Sequence, residues 1–155
     1  RGWRQDTVEA SMTFAKDLST GNAAEDRILE KLQAAFPLAY RMLGMHPDFD
    51  IWIPELGKSV EVKLDLMSQK TGNIVVEYYH NKASALTVSK ADYWVFDTGE
   101  ELLWFSREGI LDCILSEGME PVRIAGPSDR FAKWAFLIPL RILQRYSVSE
   151  RAVQP

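Results

Sequence analysis

The feature that most constrains this fold is a two-residue hydrophobic period in two short neighbouring segments, residues 48–53 and 60–65. Pro54-Glu55-Leu56-Gly57-Lys58, which separates them, has a composition typical of a turn. Because successive side chains of a strand point to opposite faces, the pattern predicts a β-hairpin with one apolar and one charged face. The apolar face is predicted to hold Phe49, Ile51, Ile53, Val60, Val62 and Leu64. The charged face is predicted to hold Asp48, Asp50, Glu61, Lys63 and Asp65, together with Trp52.

The rest of the chain alternates between helical and strand-like patterns. Helices are predicted over residues 6–18, 22–36, 83–90, 107–115 and 139–146. Further strands are predicted over residues 39–43, 74–79, 93–96, 102–105, 122–124 and 134–138. This order predicts an α/β fold with a central mixed sheet flanked by helices. The 155 residues fit one domain, with a core over about residues 22–97 and a C-terminal extension over about residues 98–146.

Charge is unevenly distributed along the chain. The net charge of −4 and the pI near 5.2 argue against a protein that coats nucleic acid, which needs many clustered cations. Between Asp97 and Glu120 there are seven acidic residues and one basic residue, whereas between Val122 and Pro155 there are six basic and two acidic residues. A local DNA-binding face is therefore compatible with the acidic total, and two solvated surfaces are the alternative interpretation.

The cysteine content and the apolar runs indicate an intracellular protein. Cys113 is the only cysteine, so the chain forms no internal disulfide and no multi-thiolate zinc site. No apolar run approaches the roughly 18 residues that span a bilayer, and residues 1–6 have no apolar core of a secretory signal. We expect a cytoplasmic location and no membrane partner.

The charged face of the hairpin has the residue types that hydrolyse phosphodiesters. Two neighbouring carboxylates, Asp50 and Glu61, repel each other unless a cation lies between them. Mg²⁺ prefers oxygen ligands from one or two carboxylates, and it can lower the pKa of a bound water. Lys63 follows Glu61 by two residues on the same face, from which it can orient or deprotonate the attacking water or offset charge in the transition state.

The order Pro47-Asp48-Phe49-Asp50, then Glu61-Val62-Lys63, resembles the motif of the PD-(D/E)XK nuclease superfamily, which includes restriction endonucleases and junction resolvases. The resemblance covers about residues 22–97. It implies a restriction-endonuclease-like three-layer core and a Mg²⁺-dependent deoxyribonuclease, with Mn²⁺ as a substitute. It also implies catalytic roles for Asp50, Glu61 and Lys63, with the metal held by Asp50, Glu61 and the backbone carbonyl of Val62.

Several residue assignments have alternatives. Asp50 is preferred to Asp48 as the ligand because it lies deeper in the predicted strand, although both share one face. The resemblance makes Glu25 a further metal ligand, and Glu25 also fits a capping box that begins at Asn22. Glu77 is a secondary candidate, with an exposed strand position as its alternative. Lys82, Ser84 and Lys90 are candidates for phosphate contacts at a short helix, with ordinary surface positions as the alternative.

DNA is the expected partner, and a homodimer that cuts both strands is compatible with the size of the chain. Two competing hypotheses remain. One is a non-catalytic DNA-binding or assembly module on the same fold, and the other is an unrelated α/β domain whose hairpin imitates the motif. A register that keeps Asp50 away from Glu61 would indicate the unrelated domain.

Overall fold

The structure, a computed structural model, describes residues 23–43, 49–79, 86–87, 89–124 and 133–149. Helical segments are α1 (residues 23–35), α2 (Ser68–Thr71), α3 (Arg107–Ser116) and α4 (Leu140–Leu143), and a 3₁₀ turn at Gln144–Tyr146 follows α4. The strands are β1 (Tyr40–Arg41), β2 (Ile51–Ile53), β3 (Lys58–Leu64), β4 (Asn73–Tyr79), β5 (Tyr93–Asp97), β6 (Leu102–Ser106), β7 (Val122–Ile124) and β8 (Lys133–Pro139).

A five-stranded mixed sheet has the order β1-β2-β3-β5-β6. Strands β3 and β5 run parallel, and the other neighbours in this sheet run antiparallel. The predicted hairpin is confirmed as β2 and β3, with Ile51 opposite Val60 and Ile53 opposite Lys58. Its turn ends at Gly57, whose φ of +60° is a conformation that a residue without a side chain adopts at little cost. The prediction of an α/β fold with a mixed sheet and helices is therefore confirmed.

The sequence pattern predicts one central sheet, but β4 lies in a second, three-stranded antiparallel sheet of order β4-β8-β7. The chain is redirected after β3 by Asp65, whose two carboxylate oxygens accept hydrogen bonds from the backbone N–H groups of Ser68 (3.1 Å) and Val75 (3.0 Å). Strand β4 then pairs with β8, about 60 residues further along the chain, a long-range pairing that no local sequence pattern indicates.

The five-stranded sheet is covered on both sides. On one side α1 packs against the apolar face of the hairpin, because buried apolar residues recur at every fourth position along it and just after its end: Ala24, Ile28, Leu32 and then Phe36. On the other side, Trp94, Phe96 and Phe105 pack against α3 and the second sheet. Complete burial of a large apolar side chain such as Ile28 contributes about 1.5–3 kcal/mol. This arrangement is compatible with a three-layer core.

Several predicted elements differ in detail. The helix predicted over residues 6–18 lies outside the described residues. The helix predicted over residues 83–90 is not seen in its described part: Leu86 and Thr87 form a turn whose N–H groups donate to the carbonyl oxygens of Glu77 and Tyr78 on β4. The helices predicted over 107–115 and 139–146 are confirmed, the second as α4 and its 3₁₀ turn. None of the helices in the described ranges is long and apolar enough to cross a membrane.

Candidate active site

The hairpin register places Asp50 beside Glu61. The paired strand ends at Ile51, opposite Val60, and Asp50 precedes it as a bend that stays hydrogen-bonded to β3. The Asp50 N–H donates to the Val60 carbonyl at 3.0 Å, and Asp50 Oδ2 accepts a hydrogen bond from the Val62 N–H at 2.7 Å. Asp50 is thus held at β3 by its backbone and by its carboxylate, at the two residues that flank Glu61. The motif allowed either Asp48 or Asp50 as the metal ligand. Asp50 has a defined position in the structure, and Asp48 lies outside the described residues.

Phe49 does not share the hairpin's apolar face as predicted. It packs against the hydrophobic cluster on the opposite side of the sheet, which contains Trp94, Phe96 and Phe105. Its ring centroid lies 5.6 Å from that of Trp52. The physical reason is that β2 begins only at Ile51, so the two-residue alternation does not extend back to Phe49.

Glu61 and Lys63 lie on the face of β3 that is turned away from α1. Glu61 is only 5% exposed, and the parallel pairing of β3 with β5 places it next to Trp94. The Lys63 ammonium is 3.4 Å from Glu61 Oε1 and 5.2 Å from the centroid of the Trp94 ring. Lys63 therefore contacts a carboxylate and an aromatic ring together, which restricts the position of its ammonium group.

The electrostatics of this cluster are unusual. Burial raises the pKa of Glu61 to about 7, the Lys63 ammonium opposes this shift, and the carboxylates of Asp50 and Glu25 add to it. At neutral pH the Glu61 carboxyl is consequently divided between its neutral and charged forms. Three carboxyl groups influence one another here, and the Lys63 ammonium and the Arg41 guanidinium balance part of their charge.

Glu25 reaches this cluster from α1 and is held there by Arg41 of β1. Arg41 Nη2 lies 2.7 Å from Glu25 Oε2, and its Nη1 lies 2.6 Å from Asp26 Oδ1. Burial raises the pKa of Glu25 and the charge of Asp50 adds to this, whereas Arg41 opposes it. The predicted proximity of Glu25 to the site is thus seen, but its carboxylate is engaged by a guanidinium. Sequence reasoning missed Arg41, which belongs to no recognisable motif.

The donor set fits Mg²⁺ better than a metal that needs many protein ligands. Within the described ranges, no group of three or more His, Cys, Asp or Glu side chains is arranged to hold a metal ion. Mg²⁺, however, is commonly bound through one or two carboxylates, with water and substrate phosphate as the remaining ligands. Asp50 and Glu61 supply two hard oxygen donors, and the backbone carbonyl of Val62 lies between Glu61 and Lys63 as a predicted third.

The remaining candidate residues lie elsewhere or outside the described residues. Glu77 is on β4 in the second sheet, where its Oε1 lies 3.6 Å from the Lys133 ammonium, so it is not part of the Asp50–Glu61 cluster. Lys90 is exposed and lines a cleft near the start of β5. Lys82 and Ser84 lie outside the described residues. Trp52 is half-buried on the strand that follows Asp50.

Comparison of the chain with models of known protein families, with curated proteins and with solved structures finds no match. The functional argument therefore depends on the residues of the site and on their geometry.

Proposed function

We propose that this protein is a Mg²⁺-dependent deoxyribonuclease with an active site of the PD-(D/E)XK type. The observation that carries the proposal is the hydrogen bonding of Asp50 to β3 at Val60 and Val62, which flank Glu61, together with the 3.4 Å contact of Lys63 with Glu61. The hairpin therefore does not keep Asp50 away from Glu61, which supports the proposal. The restriction-endonuclease-like fold belongs to the same proposal, and a mixed sheet covered on both sides supports it.

Each residue has a distinct role in the proposed reaction. Asp50 and Glu61 would hold the cation through carboxylate oxygens, with the Val62 carbonyl as a third oxygen donor. A bound Mg²⁺ supplies Lewis-acid polarisation of the scissile phosphate. Lys63 orients the attacking water and stabilises negative charge on the phosphate oxygens. The water oxygen forms a bond to phosphorus while one P–O ester bond breaks, and a proton passes to the departing oxygen.

Burial of Glu61 contributes to this role. A carboxylate that is 5% exposed has few competing waters, so its interaction with a divalent cation is strong. Its pKa near 7 also means that metal binding must displace a proton from part of the population at neutral pH. We therefore expect cleavage to increase with pH between about 6 and 8.

A non-catalytic module is the second candidate, and the ion pairs around the carboxylates favour it. Arg41 binds Glu25, and Lys63 lies 3.4 Å from Glu61, so part of the negative charge is already balanced without a metal ion. A module of this kind would bind DNA or another protein with no dependence on Mg²⁺.

Cleavage assays distinguish the two candidates. Supercoiled plasmid, linear duplex, single-stranded DNA and a four-way junction would be incubated with Mg²⁺, Mn²⁺ or EDTA. The wild type would be compared with Lys63→Ala, Glu61→Gln and the control Glu77→Gln, which alters a carboxylate of the second sheet. We expect metal-dependent cutting by the wild type and the control, and a loss of at least about 100-fold in the two site variants. Cutting that survives in both site variants, or no cutting of any substrate, would overturn the proposal.

A further inference from the structure

A polar cleft opens where strands β3 and β5 begin, beside the first turn of α3. Its volume is about 380 Å³, and three cationic residues line it: Lys58, Lys90 and Arg107. The position of Arg107 is fixed by a hydrogen bond of 3.0 Å from its Nε–H to the Leu86 carbonyl. Lys58 and Lys90 are exposed residues at the rim of the cleft.

The cleft is locally positive in a chain whose net charge is −4. Asp92 and Glu108 also line it, so its cationic side chains exceed its carboxylates by one. Asp92 is committed to the fold, because its Oδ2 accepts hydrogen bonds from the Ser59 N–H at 2.8 Å and from the Ser59 hydroxyl at 3.1 Å. The hydrogen bonds of Asp92 to Ser59 hold its carboxylate at the wall of the cleft, and Glu108 is the second acidic residue of the lining, so the formal charge of the lining is +1.

The start of α3 adds to this preference for an anion. The helix has ten residues, and its first turn, with Ser106 as the N-cap, forms one wall of the cleft. Ser106 accepts a hydrogen bond from the Gly109 N–H at 2.9 Å, which stabilises the helix end. The positive end of the helix dipole and the backbone N–H groups of a first turn favour phosphate binding.

The cleft lies at one end of the strand that carries Glu61. Lys58 and Glu61 are three residues apart on β3, so their Cα atoms lie about 10 Å apart along the strand while their side chains point to opposite faces of the sheet. We propose that this cleft binds a backbone phosphate of the DNA substrate at the end of the sheet. This inference rests on the proposed function, and it assigns Lys58 and Arg107, in addition to Lys90, to substrate binding.

Salt-dependent DNA binding tests the inference without requiring cleavage. Binding of a short labelled duplex would be measured by fluorescence anisotropy in EDTA, over salt concentrations from about 50 to 300 mM. The variant Lys58→Gln/Lys90→Gln removes two cleft charges at exposed positions. Its matched control, Lys31→Gln/Lys70→Gln, makes the same charge change at exposed lysines away from the cleft.

Because each phosphate contact contributes about 0.9 to the slope of log K against log salt, we expect loss of this one contact to lower the slope in the cleft variant by about 0.9. The same relation gives a loss of affinity of roughly 5-fold at 0.15 M salt. The control should retain the wild-type slope. An unchanged slope in the cleft variant, or an equal fall in both variants, would overturn the inference. No measurable binding of DNA by the wild type would also overturn it.

Parallel cleavage assays separate this inference from the proposed function. If the wild type cuts DNA through Lys63 and Glu61 while the cleft variant binds normally, the phosphate site is wrong and the nuclease proposal stands. If the cleft variant loses binding while the wild type cuts no substrate, the phosphate site stands and the nuclease proposal fails.

Discussion

Replacing the buried Glu61 by glutamine should change how the stability of the protein depends on pH. The folded-state pKa of Glu61 is about 7, against an ordinary value of 4.5. Below pH 4.5 this carboxyl is protonated in both the folded and the unfolded chain. Between pH 4.5 and 7 the unfolded chain loses the proton while the folded protein retains it, so the free energy of unfolding falls as pH rises.

The difference of about 2.5 pKa units corresponds to about 3 kcal/mol lost between pH 4.5 and 8. Glu61→Gln removes this titration but preserves the shape of the side chain. The free energy of unfolding would be measured by urea denaturation in EDTA at pH 4.5, 6 and 8. Relative to the wild type, that of the variant should rise by about 3 kcal/mol across this range. Exposed Glu30→Gln is the control and should change stability by less than about 0.5 kcal/mol. If the free energies of unfolding of the wild type and Glu61→Gln differ by the same amount at all three pH values, the reasoning is refuted.

Other predictions test the site and the turns around it. Lys63→Met should lower the rate of DNA cleavage by at least about 100-fold, while the dissociation constant for DNA in EDTA changes much less; a large loss of binding would contradict the assigned role. Gly99→Ala should reduce the free energy of unfolding in urea by more than about 1 kcal/mol, because φ is +89° and the added Cβ would lie 2.8 Å from Gln69 Nε2. Ser106→Ala removes the N-cap of α3 and should cost about 1 kcal/mol in thermal denaturation, and an unchanged melting temperature would be inconsistent with the cap.

The hairpin could be predicted from the sequence because its information is local. Alternation of apolar and charged residues fixes which side chains share a face, and the turn composition fixes where the strands end. From these the neighbouring positions of Asp50 and Glu61 follow once the register is known. The separation of four residues between Ile28 and Leu32 likewise identified the buried side of α1.

Other features depend on pairings between distant segments, which leave no local pattern. The contact of Lys63 with Trp94 exists because β3 and β5 pair in parallel at one particular register. The placement of β4 in a second sheet depends on β8, and the guanidinium of Arg41 reaches Glu25 only because β1 lies at the sheet edge beside α1. Strand composition identified β4 and β5 as strands, but not their partners.

The division into two sheets has a consequence for how the chain is made. All strands of the five-stranded sheet come from residues 40–106, whereas β4 must wait for β8 at residues 133–139. During synthesis from the N-terminus, the sheet that carries Asp50, Glu61 and Lys63 can therefore assemble while β8 is still untranslated. Over that interval the edge of β4 that later pairs with β8 has backbone N–H and C=O groups without a strand partner. Synthesis of β8 therefore removes a strand edge that would otherwise favour pairing with another chain.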